Sequence, residues 1–346
     1  MKRISIKATM GLAAILLLTA ACTDELNDHP ADTGRPIAFT PVAETRAAVE
    51  GSALPSGSSF SVWGWYGTGN EINKNVFDGN TVTESGGTWG YTGGTQYWIP
   101  DMTYNFYGVY PAGYGSCTNS GVITVEGFDC SKFGEEAVDL MTAVQPGLKG
   151  DDAPIVAMQF KHALTRISFS AKLADGLDAG YSLQVKEVAL WASNKGDMTQ
   201  DMSQADNQPS WTTEPYLKDG DDEGDINEEY NAYLYRLTTD NGALQSTPIP
   251  TGNAVLLNVK GKGDLLVIPQ EMNYTRPVLA INYTLSYGGS TTSPVWKVYP
   301  LKGNTDWIPG TSLNYTFTID EDNAYFNVSV GDWEDGNSGN EDIVFE

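Results

Sequence analysis

FSVWGWYGTGN, residues 60–70, decides what kind of fold this chain makes. Seven residues rich in aromatic and β-branched side chains run into Gly, Thr, Gly and Asn, which is a strand ending in a turn. The unit recurs over the next hundred residues. TWGYT (88–92), YNFYGVYP (104–111), GVITV (121–125) and IVAMQF (155–160) follow, with ESGG, GGT and PAGYG among the breaks between them. Short strands at this spacing read as a sandwich or barrel. EEAVDLMTA (135–143) is the only segment of this half with a helical turn in its pattern.

A second strand series occupies the rest of the chain. It comprises LTRISFSAKL (164–173), SLQVKEVALWA (182–192), AYLYRLTT (232–239), DLLVIP (264–269), VLAINYTLSY (278–287), VWKVYPL (295–301), SLNYTFTI (312–319) and AYFNVSV (324–330). The polar, acidic stretch 193–231 is predicted to be a long surface loop. No repeat is evident, but the two series are alike in content. The prediction is an all-β protein of two β-sandwich domains, residues 36–162 and 163–346.

The first residues point to export. Lys2, Arg3 and Lys7 precede an apolar run from Met10 to Leu18, then Thr19, Ala20, Ala21 and Cys22. That order is a secretory signal peptide over residues 1–21, with an apolar part too short to span a bilayer. A cysteine directly after small residues is the lipidation position of a mature lipoprotein, although Leu18 stands four residues before it, not three. Residues 22–35 are a polar, acidic tether. PIAFTPV (36–42) alternates Ile37 and Phe39 with small or polar neighbours and is predicted to be a short edge strand. Residues 43–59 are again loop-like.

Without residues 1–21 the chain has 17 basic and 44 acidic residues, a net charge of −27. Such a surface repels nucleic acid and anionic lipid. Cys117 and Cys130 remain besides Cys22. An exported chain meets oxidising conditions, and a hairpin around Gly121 brings the pair together, so a Cys117–Cys130 disulfide is expected; two buried thiols are the other reading.

Nothing in the sequence supports catalysis. His29 lies in the tether, and His162 sits beside strand residues with no identifiable partner. No phosphate loop, dinucleotide fingerprint or metalloprotease pattern occurs, and two Cys with two His make no standard zinc site. DGDDEGDINEEY (219–230) resembles the first half of a calcium loop, but Tyr230 stands where a bidentate Glu is needed, so it is read as a solvated acidic loop with no metal and no cofactor. Trp63, Trp65, Trp89, Tyr91, Tyr97 and Trp98 are either core residues or a sugar-stacking platform.

Taken in order, several segments resemble the fimbrillin family, the Mfa-like subunits and accessory proteins of type V pili. They are PIAF, TRA (45–47), SVWGWY, QYWIPDMTYNFYGVYP, DLMTA and QFKHALTRISF, then LLVIPQ, INYTLSY, DWIPGTSLNYTFTI and FNVSVGDW. The resemblance implies two transthyretin-like β-sandwiches and a structural role in adhesive surface fimbriae, not an enzyme. It implies a precursor held on the outer membrane through lipidated Cys22, and a trypsin-like protease that cuts between Arg46 and Ala47. Other fimbrial subunits are the implied partners. The C-terminal strand of one subunit fills the groove vacated in another, and Phe326, Val328, Val330, Ile343 and Phe345 are the candidate donors. Residues 326–330 are equally readable as an internal strand of their own domain. A non-polymerising fimbrial anchor and a surface glycan-binding lipoprotein are the alternatives.

Overall fold

Alternation along strand β2 (Ser59–Thr68) places it in two cores at once. Successive side chains of a strand point to opposite faces. Phe60 and Val62 therefore enter one apolar cluster, while Trp63 and Trp65 enter another. Strand β5 (Thr103–Tyr110) beside it repeats the pattern, with Tyr104 and Phe106 on the first side and Tyr107 and Val109 on the second. The backbones lie close enough that a Cβ on Gly64 would stand 2.9 Å from the Phe106 ring.

The computed structural model describes residues 34–43, 54–213, 228–332 and 343–344. The described residues from Arg35 onward belong to one compact unit. The fold is all-β, and the described residues form four sheets.

The first sheet contains β1 (Phe39–Ala43), β2, β3 (Glu71–Ser85), β4 (Thr88–Tyr91), β5, β8 (Met141–Lys149) and β9 (Val156–His162). Its order is β1-β9-β8-β5-β2-β3-β4. The two ends of this order meet. Phe39 of β1 and Tyr91 of β4 have ring centroids 5.8 Å apart, and the Tyr91 hydroxyl donates to the Ile37 carbonyl at 3.1 Å. The N-terminal sandwich is thus one sheet folded over on an aromatic core.

The second sheet, in the order β13-β12-β7-β6, joins the two halves of the chain. Its strands β6 (Ser116–Cys117) and β7 (Val122–Asp129) come from the first half, and β12 (Lys195–Asp201) and β13 (Ser210–Thr213) from the second. The surface loop expected over 193–231 is therefore corrected: 195–201 and 210–213 are strands. Their polar composition misled because only one face is buried, through Met198 and Gln200, while Trp211 packs at a tilt against Phe128. Sequence order also divides the chain at 162/163, but this sheet crosses that line.

The C-terminal sandwich has two sheets. One holds β10 (Thr165–Leu173), β16 (Val255–Leu256), β17 (Leu265–Val267), β21 (Thr311–Ile319), β22 (Ala324–Asp332) and β23 (Ile343–Val344). The other holds β11 (Ser182–Trp191), β14 (Leu234–Thr238), β15 (Ile249–Pro250), β18 (Val278–Tyr287), β19 (Ser290–Thr291) and β20 (Val295–Pro300). Phe169, Tyr315 and Phe317 from one face and Leu190, Ile281 and Tyr283 from the other share one core with Trp63 and Tyr107 of the N-terminal half. The helical turn in 135–143 shrinks to a 3-10 turn at Gly134–Glu136, and 141–143 begins β8.

Candidate functional site

The N-terminal edge of the first sheet carries the most distinctive arrangement. Residues 36–42 were predicted as an edge strand, and β1 occupies that edge. It pairs with β9 alone, in parallel, from Phe39 opposite Val156 to Ala43 opposite Phe160. All other strand pairs of this sheet are antiparallel.

The segment before β1 is fastened on both sides. Ile37 donates its N–H to the Gln96 carbonyl at 2.8 Å, and Trp98 donates to the Arg35 carbonyl at 3.0 Å. Val156 donates to the Ala38 carbonyl at 2.8 Å. The Arg35 guanidinium bonds the carbonyls of Asp151 and Asp152. Backbone carbonyls leave no signature in sequence, so this clamp was not readable from GRP.

Ile37 and Phe39 point inward and are only 2% and 4% exposed. The Phe39 ring meets Phe77 at 5.3 Å, Phe106 at 5.7 Å and Phe60 at 6.1 Å, each edge to face, the favoured geometry for aromatic quadrupoles. Pro41, two residues on, is also buried. One short edge segment therefore plugs the centre of the N-terminal core.

Leu54, the first described residue after β1, is buried. Here Glu84 accepts hydrogen bonds from Gly57 N–H at 2.6 Å, Gly87 N–H at 2.6 Å and the Ser56 hydroxyl at 3.0 Å. These three donors, Gly57 first, hold its carboxyl below the ordinary glutamate value. The clasp ties residues 56–57 to the β3–β4 turn.

Cys22, Arg46, Ala47 and Phe345 lie outside the described residues, as do His29 and residues 219–227 of the acidic loop. Ile343 lies in β23, whose two residues pair with Val328 and Asn327 of β22. Phe326, Val328 and Val330, read from sequence as donors or as an internal strand, lie in an internal strand here. These residues belong to β22, which pairs with β21 in a nine-residue antiparallel register. Phe326 and Val328 are buried, Phe326 lies 5.0 Å from the Tyr299 ring, and Val330 packs on the same core. Withdrawing them would open the C-terminal sandwich. Alternating apolar residues look the same in an internal strand as in a donated one, so sequence left both readings open.

The expected Cys117–Cys130 disulfide is absent, and both thiols are free. A hairpin does form, but it sets Cys117 opposite Ile123, while Cys130 follows the far end of β7. Seven residues of strand separate those levels, about 20 Å, against a limit near 7 Å for a disulfide. The Cys130 thiol lies 3.2 Å from the Tyr235 hydroxyl in a fully enclosed position. Burial pushes the Cys130 thiol up to about 11 and the Cys117 thiol up to about 12.

His162, at the end of β9, has Nδ1 2.9 Å from Asp139 and ties that strand to the segment entering β8. Among the described residues no group of three or more His, Cys, Asp or Glu is placed to hold a metal ion. The six aromatics weighed as a platform are dispersed. Trp63 and Trp65 lie in one core, Trp98 in the other with Trp89 and Tyr91 against it, and Tyr97 alone is half exposed.

Residues 45–333 match the family model described as fimbrillin-like. No curated protein matches the chain. Among solved structures, a fimbrial protein from Bacteroides vulgatus is 19% identical with a TM-score of 0.56, covering 86% of this chain and 99% of its own. The fimbrial anchor protein Mfa2 from Porphyromonas gingivalis is 10% identical with a TM-score of 0.34, covering 87% of this chain and 98% of its own.

Proposed function

The chain is a member of the fimbrillin-like family, and on that premise we propose that it is a non-catalytic structural subunit of adhesive surface fimbriae, assembled by strand exchange. The precursor is exported, acylated at Cys22 and carried on the outer membrane. A trypsin-like protease cuts after Arg46 and frees residues 22–46 with the anchor. Residues 44–53 run between β1 and Leu54, so this cut separates β1 from the rest of the chain without touching another described strand.

The observation that carries the proposal is the position of β1, an edge strand held by one neighbour whose Phe39 fills the sheet's core. Its loss leaves the outer edge of β9 unpaired and two deep apolar positions empty. Burial of an Ile or Phe side chain contributes roughly 1.5–3 kcal/mol, so the vacated groove is strongly biased toward taking up another strand. Arg35, the arginine ahead of β1, has its guanidinium engaged and is followed by Pro36, which directs cutting to Arg46.

The test is limited digestion of the purified precursor with a trypsin-like protease, read by mass spectrometry and size-exclusion chromatography. A discrete cut after Arg46 followed by growth of oligomers is the expected result. A cut chain that stays monomeric while retaining residues 22–46 would overturn it. The glycan-binding alternative loses its main support, because five of the six aromatics it relied on lie in the cores or pack against them.

A further inference from the structure

We propose that the outer face of the sheet containing β11, β14, β18 and β20 binds a neutral oligosaccharide, with Trp296 as the stacking platform and Asn282, Thr284 and Gln184 as the hydrogen-bonding groups. None of the six aromatics weighed from the sequence takes part. The inference goes beyond strand exchange and is independent of it.

β18 forms the floor of this face. Its inward side chains, Leu279, Ile281, Tyr283 and Leu285, lie in the core. Asn282 and Thr284 therefore point outward, and they are 7% and 8% exposed. Polar side chains withdrawn that far from water are ordinarily hydrogen-bonded. Neither of these has a side-chain partner among the described residues. Neither is sealed off, as the unpartnered groups of Trp98, Trp191, Asn194 and Asn304 are, so a ligand lying on the face reaches them.

The neighbouring strands supply the rest. Asn282 has Trp296 across from it on β20 and Glu187 across from it on β11. Trp296 is 47% exposed. In the next row Ala189 and Ala280 lie side by side between Arg236 and Val298, a trough between longer side chains. Gln184, opposite Thr284, donates its amide to the Ser246 carbonyl at 3.0 Å and keeps its oxygen to accept. Tyr230 packs on Val278 and closes one end. From Ala280 to Thr284 the trough runs about 13 Å, room for a short oligosaccharide.

A pyranose has an apolar C–H face that an indole can cover and a rim of hydroxyls that donate and accept. Asn282 offers donors and an acceptor, Thr284 one of each, and Gln184 an acceptor. An apolar peptide would leave these groups unpaired. Charge selects a neutral sugar: Arg236 engages Glu187 at 2.5 Å, and the chain's excess of carboxylates repels sialic and uronic acids.

The experiment uses the uncut precursor, so the protease plays no part in it. Maltotetraose, mannotetraose, N-acetyllactosamine and sialyllactose are titrated by calorimetry. At least one of the three neutral sugars is expected to bind, with a dissociation constant of about 1 mM or tighter. Trp296→Ala should weaken that binding at least about tenfold and Thr284→Val at least about threefold, while Tyr325→Ala, an exposed tyrosine on the other sheet, stays within about twofold. Thr284→Val keeps the shape and removes an unpaired hydroxyl, so it should unfold at no lower temperature than wild type. A clear fall in its Tm would reveal an internal partner and overturn the premise. No heat with any neutral sugar, binding of sialyllactose alone, or binding that survives both Trp296→Ala and Thr284→Val would overturn the site.

Discussion

Phe39→Ala probes how much of the N-terminal sandwich depends on one edge residue. The ring is 4% exposed and touches Phe60, Phe77, Tyr91 and Phe106 at centroid distances of 5.3–6.1 Å. Truncating a fully enclosed Phe costs about 3–5 kcal/mol, part transfer and part residual cavity. An edge strand held from one side relaxes more readily than a central one, which favours the lower end, about 3 kcal/mol. For a compact unit spanning Arg35–Glu346 that corresponds to a fall of roughly 5 °C in Tm. Differential scanning calorimetry and urea unfolding of the uncut precursor measure it, with Thr40→Ala as the exposed control, expected within about 0.5 kcal/mol of wild type. A loss below about 1 kcal/mol for Phe39→Ala would mean that β1 does not fill the core, and the argument for an unstable vacated groove would fail with it.

Three further outcomes follow from the same geometry. Expressed alone, residues 163–346 should be insoluble or lack a cooperative transition, because β12 and β13 lose β7, and Met198 loses its cover; a sharp calorimetric transition would refute the shared sheet. Both Cys117 and Cys130 should resist alkylation at pH 8 in the folded protein and react fully in guanidinium, with no 2 Da change on reduction, since burial raises both thiols far above the working pH. Glu84 is held below its ordinary value near 4.5, so its clasp stabilises the fold above that pH and is lost as pH falls through the lower folded value. Protection factors for Gly57 and Gly87, taken relative to the intrinsic exchange rate at each pH, should fall on acidification in wild type, and Glu84→Gln should show the lower protection at both pH 6 and pH 3.

Strand existence and the position of β1 were legible because both rest on local chemistry. Alternating aromatic and small residues, bounded by Gly and Asn, specify strands whatever their neighbours. Phe60 and Trp63 could be recognised as strand residues in this way, and the proline, isoleucine and phenylalanine of PIAFTPV marked an edge. Which core each residue entered was not legible, because facing direction alone does not say what lies opposite. Phe60 and Trp63 sit three residues apart and serve different cores.

By itself, then, the sequence determined an all-β chain of many short strands and a strongly acidic composition. Tertiary structure alone decided the parallel seating of β1 on β9, the assignment of 326–330 to an internal strand, the separation of Cys117 from Cys130, and the sheet that unites the halves. Each of these depends on pairing between residues far apart in the chain. Backbone hydrogen bonds form that pairing and are the same for every residue type except proline, so a single sequence carries little record of the partners.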